Sequence, residues 1–291
     1  MLMSVTTSTS QDVSLEIRKR ARTGKKNATS PYLSARATLN TTQRVLLVVP
    51  PVVLALLLLL GWYVSTTYGH VSSLILPAPA DVFASLSDGF SSGWLLSNAL
   101  ITIQESLLGF LLAVAVALPL GYGLAKSRLI AATVQPYLGA GQAIPAIVIA
   151  PILMIWIGYG LVPIVILCML VVLFPMVITT ELGVRSIDPT LTDSARVEGA
   201  SGWSMLAHIE FPLALPAILA AVRTGLTLSI TGALVGEFVS GGDMGLGGLL
   251  LQAQNQINTP LLFATLVVLA VLAALYYGSS WLLVKLAAII Y

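Results

Sequence analysis

The chain has 291 residues, of which 57% are hydrophobic and only 9% charged, with a net charge of +2. Soluble domains carry about 25% charged residues, and the mean hydropathy here is +0.95. A water-soluble core could not hide this much apolar surface, so the solvent must be a bilayer. The single cysteine, Cys168, excludes an intrachain disulfide, and no zinc-type spacing of Cys and His occurs.

Residues 1–43 are rich in Ser, Thr, Lys and Arg, and eight of the fourteen basic residues fall between Arg18 and Arg44. This stretch is expected to be a disordered basic cytoplasmic tail. Its charge either only sets topology or adds attraction to anionic headgroups, about 1 kcal/mol per basic residue near the surface. A cleaved signal peptide is not expected, because the apolar run begins only at Val45 with no small-residue site after it.

Residues 44–291 are expected to form one all-α membrane domain with six transmembrane helices. The spans are placed at about 45–64, 95–125, 137–157, 161–181, 213–238 and 259–284. Their length and lack of strict alternation favour helices over a barrel. The segment 76–79, Leu-Pro-Ala-Pro, leads into a short amphipathic helix expected over 80–87.

With the N-terminus in the cytoplasm, Lys126, Arg128, Arg185, Arg196 and Lys285 all fall on the inner side, and Arg223 lies in the inner half of its span. The expected outer segments, 65–94, 158–160 and 239–258, contain no Lys or Arg. That asymmetry places both termini in the cytoplasm. The two histidines, His70 and His208, then lie on opposite sides.

Gly109, Ala113, Ala117 and Gly121 recur every four residues along the second span, and Gly232 and Gly236 repeat the device in the fifth. Such faces let helices approach closely. Pro145, Pro151, Pro163, Pro175 and Pro216 interrupt the third to fifth spans. Broken helices are tolerated where they line a cavity or pack against protein.

Polar groups at membrane depth usually face protein or a water-filled interior. The pathway candidates are Gln104, Glu105, Gln142, Pro145 and Glu237. Glu237 also fits a plain interfacial role, and Glu181 and Arg185 can either pair or sit at the headgroups. The glycine-rich run 240–248 has no Lys-Ser/Thr and follows a membrane helix, so a turn into a short helix over 249–256 is expected rather than a phosphate loop.

The stretch from Asp193 to Pro212 is the one long polar segment between apolar blocks, within a loop spanning 186–212. Asp188 before Pro189 makes a helix start, and Gly199 a stop. Ser201 can cap a second short helix that Pro212 ends. Two short helices at a membrane face suit docking into a groove of another protein.

The same loop resembles the cytoplasmic pattern of ABC-type importer permeases: Glu-Ala-Ala, then Gly, Ile and Leu-Pro at set intervals. Those places hold Asp193, Ser194, Ala195, Gly199, Ile209, Phe211 and Pro212. Further matching runs are 76–82, 142–160, 174–175, 185–191 and 236–238, so the resemblance covers roughly 74–284. They are most similar to the sulfonate, nitrate, taurine and thiamine-precursor branch. The resemblance implies the type I importer fold, with the loop as a coupling helix in the bacterial inner membrane. It implies an ABC ATPase subunit, an external substrate-binding protein and a second permease chain, taken as a homodimer. ATP-Mg would be bound by the ATPase, since this chain has no Walker motif and no cofactor of its own is implied. The runs 232–238 and 259–270 look most like permeases for thiamine-precursor pyrimidines or riboflavin, with sulfonate, taurine or nitrate as the alternative cargo. The sequence offers no nucleic-acid motif and no covalent chemistry; an ATP-independent secondary transporter is the remaining alternative, with Glu105 its one ion-coupling candidate and no convincing internal repeat.

Overall fold

The computed structural model describes residues 41–69, 71–241 and 244–290. The expected tail, 1–43, lies outside them except for its last three residues, and so does His70. The described residues are helical and contain no strand. The chain divides at Gly61 into two units. The helix that crosses this boundary, α1 (Thr41–Thr67), carries Pro50 and Pro51, and residues 49–60 within it are exposed.

The second unit runs from Trp62. It begins with the end of α1, followed by α2 (Pro79–Ser91), α3 (Trp94–Lys126), α4 (Arg128–Ala143), α5 (Ala146–Ile157) and α6 (Leu161–Arg185). Next are α7 (Pro189–Val197), α8 (Gly202–Met205), a π-helical turn (Leu206–Glu210), α9 (Phe211–Ser240), α10 (Gly245–Asn255) and α11 (Thr259–Ile290). Among the described residues, five helices are long and apolar enough to cross a membrane, or six if the bent pair α4–α5 is one span.

The centre of the bundle is α6, held between α3 and α9. The small-residue face of α3 makes the first contact possible. Ala113 and Ala117 are fully buried, and a methyl on Gly109 would meet Cys168 Cβ and lie 2.8 Å from Val165 O. A methyl on Gly121 would lie 2.8 Å from both Thr180 Cβ and Val177 O. On the other side of α6, a methyl on Gly232 would lie 2.7 Å from Cys168 Cα, and one on Gly236 would lie 2.8 Å from Ile164. Helices approach this closely only where side chains are missing. Ser106 of α3 and Tyr276 of α11 share a buried hydrogen bond of 2.8 Å, which ties the last helix to the bundle.

Three expected boundaries change. The third span, placed at 137–157, is two helices that begin at Arg128 and meet at an angle of 100°. Ile144 is extended (φ −82°, ψ 118°), the conformation the following proline imposes, and Pro145 has no N–H to continue the ladder. The second loop helix does not stop at Pro212, because Gly202–Ser240 runs on as one 39-residue span. The π turn makes room for the proline. Phe211 N–H bonds back to Leu206 O, a longer reach that lets the ring enter the next turn. Ser201 makes no side-chain cap. The helix expected over 249–256 starts earlier, at Gly245, for a reason given below.

The close approach around Cys168 predicts a sharp contrast among glycine substitutions. Gly109→Ala and Gly232→Ala should each destabilise by about 1–3 kcal/mol, the usual cost of overpacking. Gly278→Ala, with nothing within 4 Å, should be neutral or slightly stabilising. Thermal melting of the detergent-solubilised protein checks this. Equal melting temperatures for all three would refute the packing account.

Candidate functional site

Polar clusters and cavities mark both ends of the bundle. One cluster lies at the end that carries residues 186–212, called here the loop end. The other lies at the far end, around Glu237.

At the loop end, α7 starts on Asp188, whose carboxylate accepts the Thr190 N–H at 2.9 Å. That bond holds the Asp188 carboxyl below its ordinary value. The helix ends in a pair of backbone bonds, Gly199 N–H to Arg196 O at 3.0 Å and Ala200 N–H to Ala195 O at 2.9 Å. This ending needs the left-handed φ of +94° that Gly199 supplies. Ala195 is buried, Ile209 and Pro212 are half-buried, and Ser194 bonds its hydroxyl to Thr190 O at 2.8 Å. Asp193 pairs with Arg196 at 2.8 Å, but both are exposed and the pair contributes little. Leu191, Val197 and Trp203 stand 50%, 90% and 77% exposed on the two loop helices.

The loop is tied to the bundle by Glu210, which is buried in the π turn. Its carboxylate accepts the Tyr122 hydroxyl at 2.7 Å and an ion-pair contact from Lys126, both on α3. A second carboxylate, Glu181 of α6, accepts Gln135 of α4 at 2.8 Å and pairs with Arg185 at 2.9 Å. Arg185 also donates to Leu124 O of α3 at 3.2 Å. Of the two expectations for Glu181 and Arg185, pairing is the one realised. Glu210, Lys126, Tyr122 and Gln135 were not singled out from the sequence. Their partners lie 84, 88 and 46 residues apart.

At the far end, the buried Glu237 accepts Thr102 Oγ1 at 2.6 Å and Gly247 N–H at 2.5 Å. Thr102 in turn accepts Leu246 N–H at 2.9 Å, and Asn98 accepts Gly245 N–H at 2.7 Å. The free N–H groups at the start of α10 are thereby met by α3 and α9. Gly245 and Gly247 belong to the helix because a Cβ on either would run into the Glu237 carboxylate.

The other pathway candidates separate into two places. Gln142 and Pro145 are exposed at the α4–α5 bend, where with Gly141, Leu170, Phe174 and Pro175 they line a cavity of about 420 Å³. Gln104 and Glu105 line a far-end cavity of about 460 Å³. Arg223 lies over the Tyr277 ring at 4.2 Å.

The family model described as "binding-protein-dependent transport system inner membrane component" matches residues 107–287. The chain belongs to this family. It is a permease subunit of an ABC importer, an all-α membrane protein, and a transport component. The permease is 41% identical over 228 residues to the riboflavin transport system permease protein RibX of Chloroflexus aurantiacus, covering 78% of this chain and 85% of that one. It is 29% identical to the putative aliphatic sulfonates transport permease protein SsuC of Bacillus subtilis, over 74% of this chain and 77% of that one. Among solved structures, a chain of the inward-facing MetNI methionine ABC transporter superposes with a TM-score of 0.61 at 20% identity. That match covers 67% of the permease and 96% of the other chain, and it shows a shared fold.

Two predictions follow from the loop end. Because the folded value of Asp188 is depressed, its contribution is present above the unfolded pKa and fades as pH falls through the folded one. Asp188→Ala should therefore speed amide exchange over the first turn of α7 at neutral pH, with the difference from wild type vanishing in acid. Exchange rates that match wild type at neutral pH would refute it. Glu210→Gln keeps the Tyr122 bond but removes the charge that holds Lys126, and should cost about 1–3 kcal/mol. Trypsin should then cut faster at the exposed Arg196, whereas an unchanged cutting rate would mean that Glu210 does not hold the loop.

Proposed function

We propose that this permease forms the membrane pathway of an ATP-driven importer. A separate ATPase subunit would dock against the 186–212 loop. The observation that carries this reading is the Glu210 clamp. The exposed loop helices are bound through a buried carboxylate to Tyr122 and Lys126, at the end of the 33-residue helix α3. Force on the loop would thus reach the centre of the bundle, since α3 is locked against α6.

The partner groove would receive Leu191, Val197 and Trp203, the apolar side chains left exposed on α7 and α8. The residues assigned to coupling, Asp193, Ser194, Ala195, Gly199, Ile209 and Pro212, then shape the loop from within rather than forming its whole contact surface. The loop end would face the cytoplasm, with both chain termini, in line with the basic residues gathered there. ATP-Mg would bind only in the ATPase. Its closure would push α7 and α8 and rotate two permease chains about their shared interface, opening the pathway alternately to each side. A homodimer is proposed because one chain supplies one loop and half a pathway.

The cargo would be a small organic solute delivered by an external binding protein. Similarity to the riboflavin permease supports riboflavin or a thiamine-precursor pyrimidine. Similarity to the sulfonate permease supports a second reading, a sulfonate, taurine or nitrate cargo.

Co-purification of the tagged permease with its ATPase tests the assignment. Trp203→Glu should lower the amount of ATPase recovered by about tenfold or more, as expected for an aromatic anchor, while the permease stays in the membrane. Full recovery of ATPase by Trp203→Glu, and by a chain whose residues 189–211 are scrambled, would reject the docking surface.

A further inference from the structure

If the far end faces outward, as follows from the loop end facing the cytoplasm, then the turn from α10 to α11 bears on how a partner meets the permease there. Among the described residues, Ile257 is the one non-glycine residue with a positive φ, at +53°. The left-handed region crowds Cβ against the backbone, and a β-branched side chain suits it worst.

The fold explains the turn but not the isoleucine. Ile257 N–H donates to Gln254 O at 3.1 Å and Asn258 N–H to Ala253 O at 2.9 Å, which closes the end of α10. The same pair of bonds closes α7, and there Gly199 takes the left-handed place without strain. Glycine or asparagine at 257 would close α10 at lower cost. Nor does burial within this chain offset the strain, because Ile257 is 68% exposed.

The surroundings are polar. Gln254, Asn255, Gln256 and Asn258 are all exposed beside Ile257. Four amide side chains would be costly in hydrocarbon, so the turn stands in water. Two residues on, the Thr259 hydroxyl donates to Leu74 O at 2.9 Å, which fastens the segment 74–75 to this turn. Leu74 and Ile75 are 64% and 74% exposed. Charge adds a further feature. Among the described residues of 65–94 and 239–258, the charged side chains are Asp81 and Asp88, both exposed, and no Lys or Arg occurs there. Both lie on α2, which packs against α11.

We propose that Ile257, with Leu74 and Ile75, is the anchor on which an external binding protein docks, and that the docking face of that protein offers an apolar pocket rimmed by Lys or Arg. The family description, binding-protein-dependent transport, calls for a partner of this class, and it would meet the permease at the outward end. Backbone strain persists where a site uses it. Here it holds an isoleucine out in water between two helix ends, so little freedom is lost when a pocket closes over the side chain. Asp81 and Asp88 steer the basic rim toward it.

The test uses the complete transporter with its ATPase in nanodiscs. The probe is a purified external binding protein loaded with riboflavin or, failing that, with ethanesulfonate. Three quantities are read: the melting temperature, the ATPase rate without binding protein, and the binding-protein concentration that gives half-maximal stimulation. Ile257→Asn relieves the strain and removes the anchor. It should melt about 2 °C or more above wild type and keep the unstimulated rate. It should need at least about tenfold more binding protein, the loss expected at a contact hot spot. Ile257→Val keeps the strain and the apolar contact, and should stay within about threefold of wild type. An unchanged half-maximal concentration in Ile257→Asn overturns the proposal, and so does a melting temperature no higher than that of wild type. A lipid contact would show as a lower melting temperature with unchanged stimulation, which also overturns it. Bound ATPase that neither loaded binding protein stimulates rejects the docking surface alone. Absence of any ATPase on the wild-type permease overturns the importer reading and this proposal with it.

Discussion

The rest of the structure depends on how closely α3 and α9 approach α6. Cys168 sits where Gly109 presses from one side and Gly232 from the other, and a single methyl at either glycine would collide with it. In a bilayer, burying apolar side chains between helices gives little net drive, because lipid is as apolar as leucine. Close van der Waals contact and buried hydrogen bonds have to hold the bundle instead. The small-residue faces provide the first. Ser106–Tyr276 and the carboxylate clusters provide the second.

The buried carboxylates have divided roles, set by what surrounds each. Glu210 and Glu181 receive cations and hydroxyl or amide donors at the loop end, where they join the loop and α4 to the bundle. Glu237 is met by a hydroxyl and a helix N-terminus, so it acts as a cap for α10. Glu105, similarly buried, lies against Glu237 and borders a cavity. Together the clusters fasten the loop, α4 and α10 to the bundle.

Much of this was legible along the chain because the bilayer imposes length and composition on whatever crosses it. The second, fourth and last spans stand close to where hydropathy put them, and the small residues at 109, 113, 117 and 121 do lie against another helix. The third span was not legible as a bent pair. Pro119, Pro151, Pro175 and Pro216 all sit inside continuous helices, whereas Pro145 stands at a break. Residue type alone cannot distinguish a tolerated proline from a breaking one, since neighbouring helices decide whether the lost bond is compensated. Ser201 and Pro212 misled for a related reason, because the π turn between them absorbs the proline without ending the helix.

By itself the sequence determined that the chain lives in a membrane, which side its basic residues favour, and which loop resembles a coupling element. These follow from local composition and spacing, which need no tertiary contact to be read. Only the tertiary structure decided that Glu210 reaches Tyr122 and Lys126, and that Glu237 takes Thr102 and caps α10. Those relations join residues 84, 88, 10 and 135 positions apart. A hydrogen bond depends on a distance of about 3 Å and on direction. Neither is determined until helices far apart in sequence have packed.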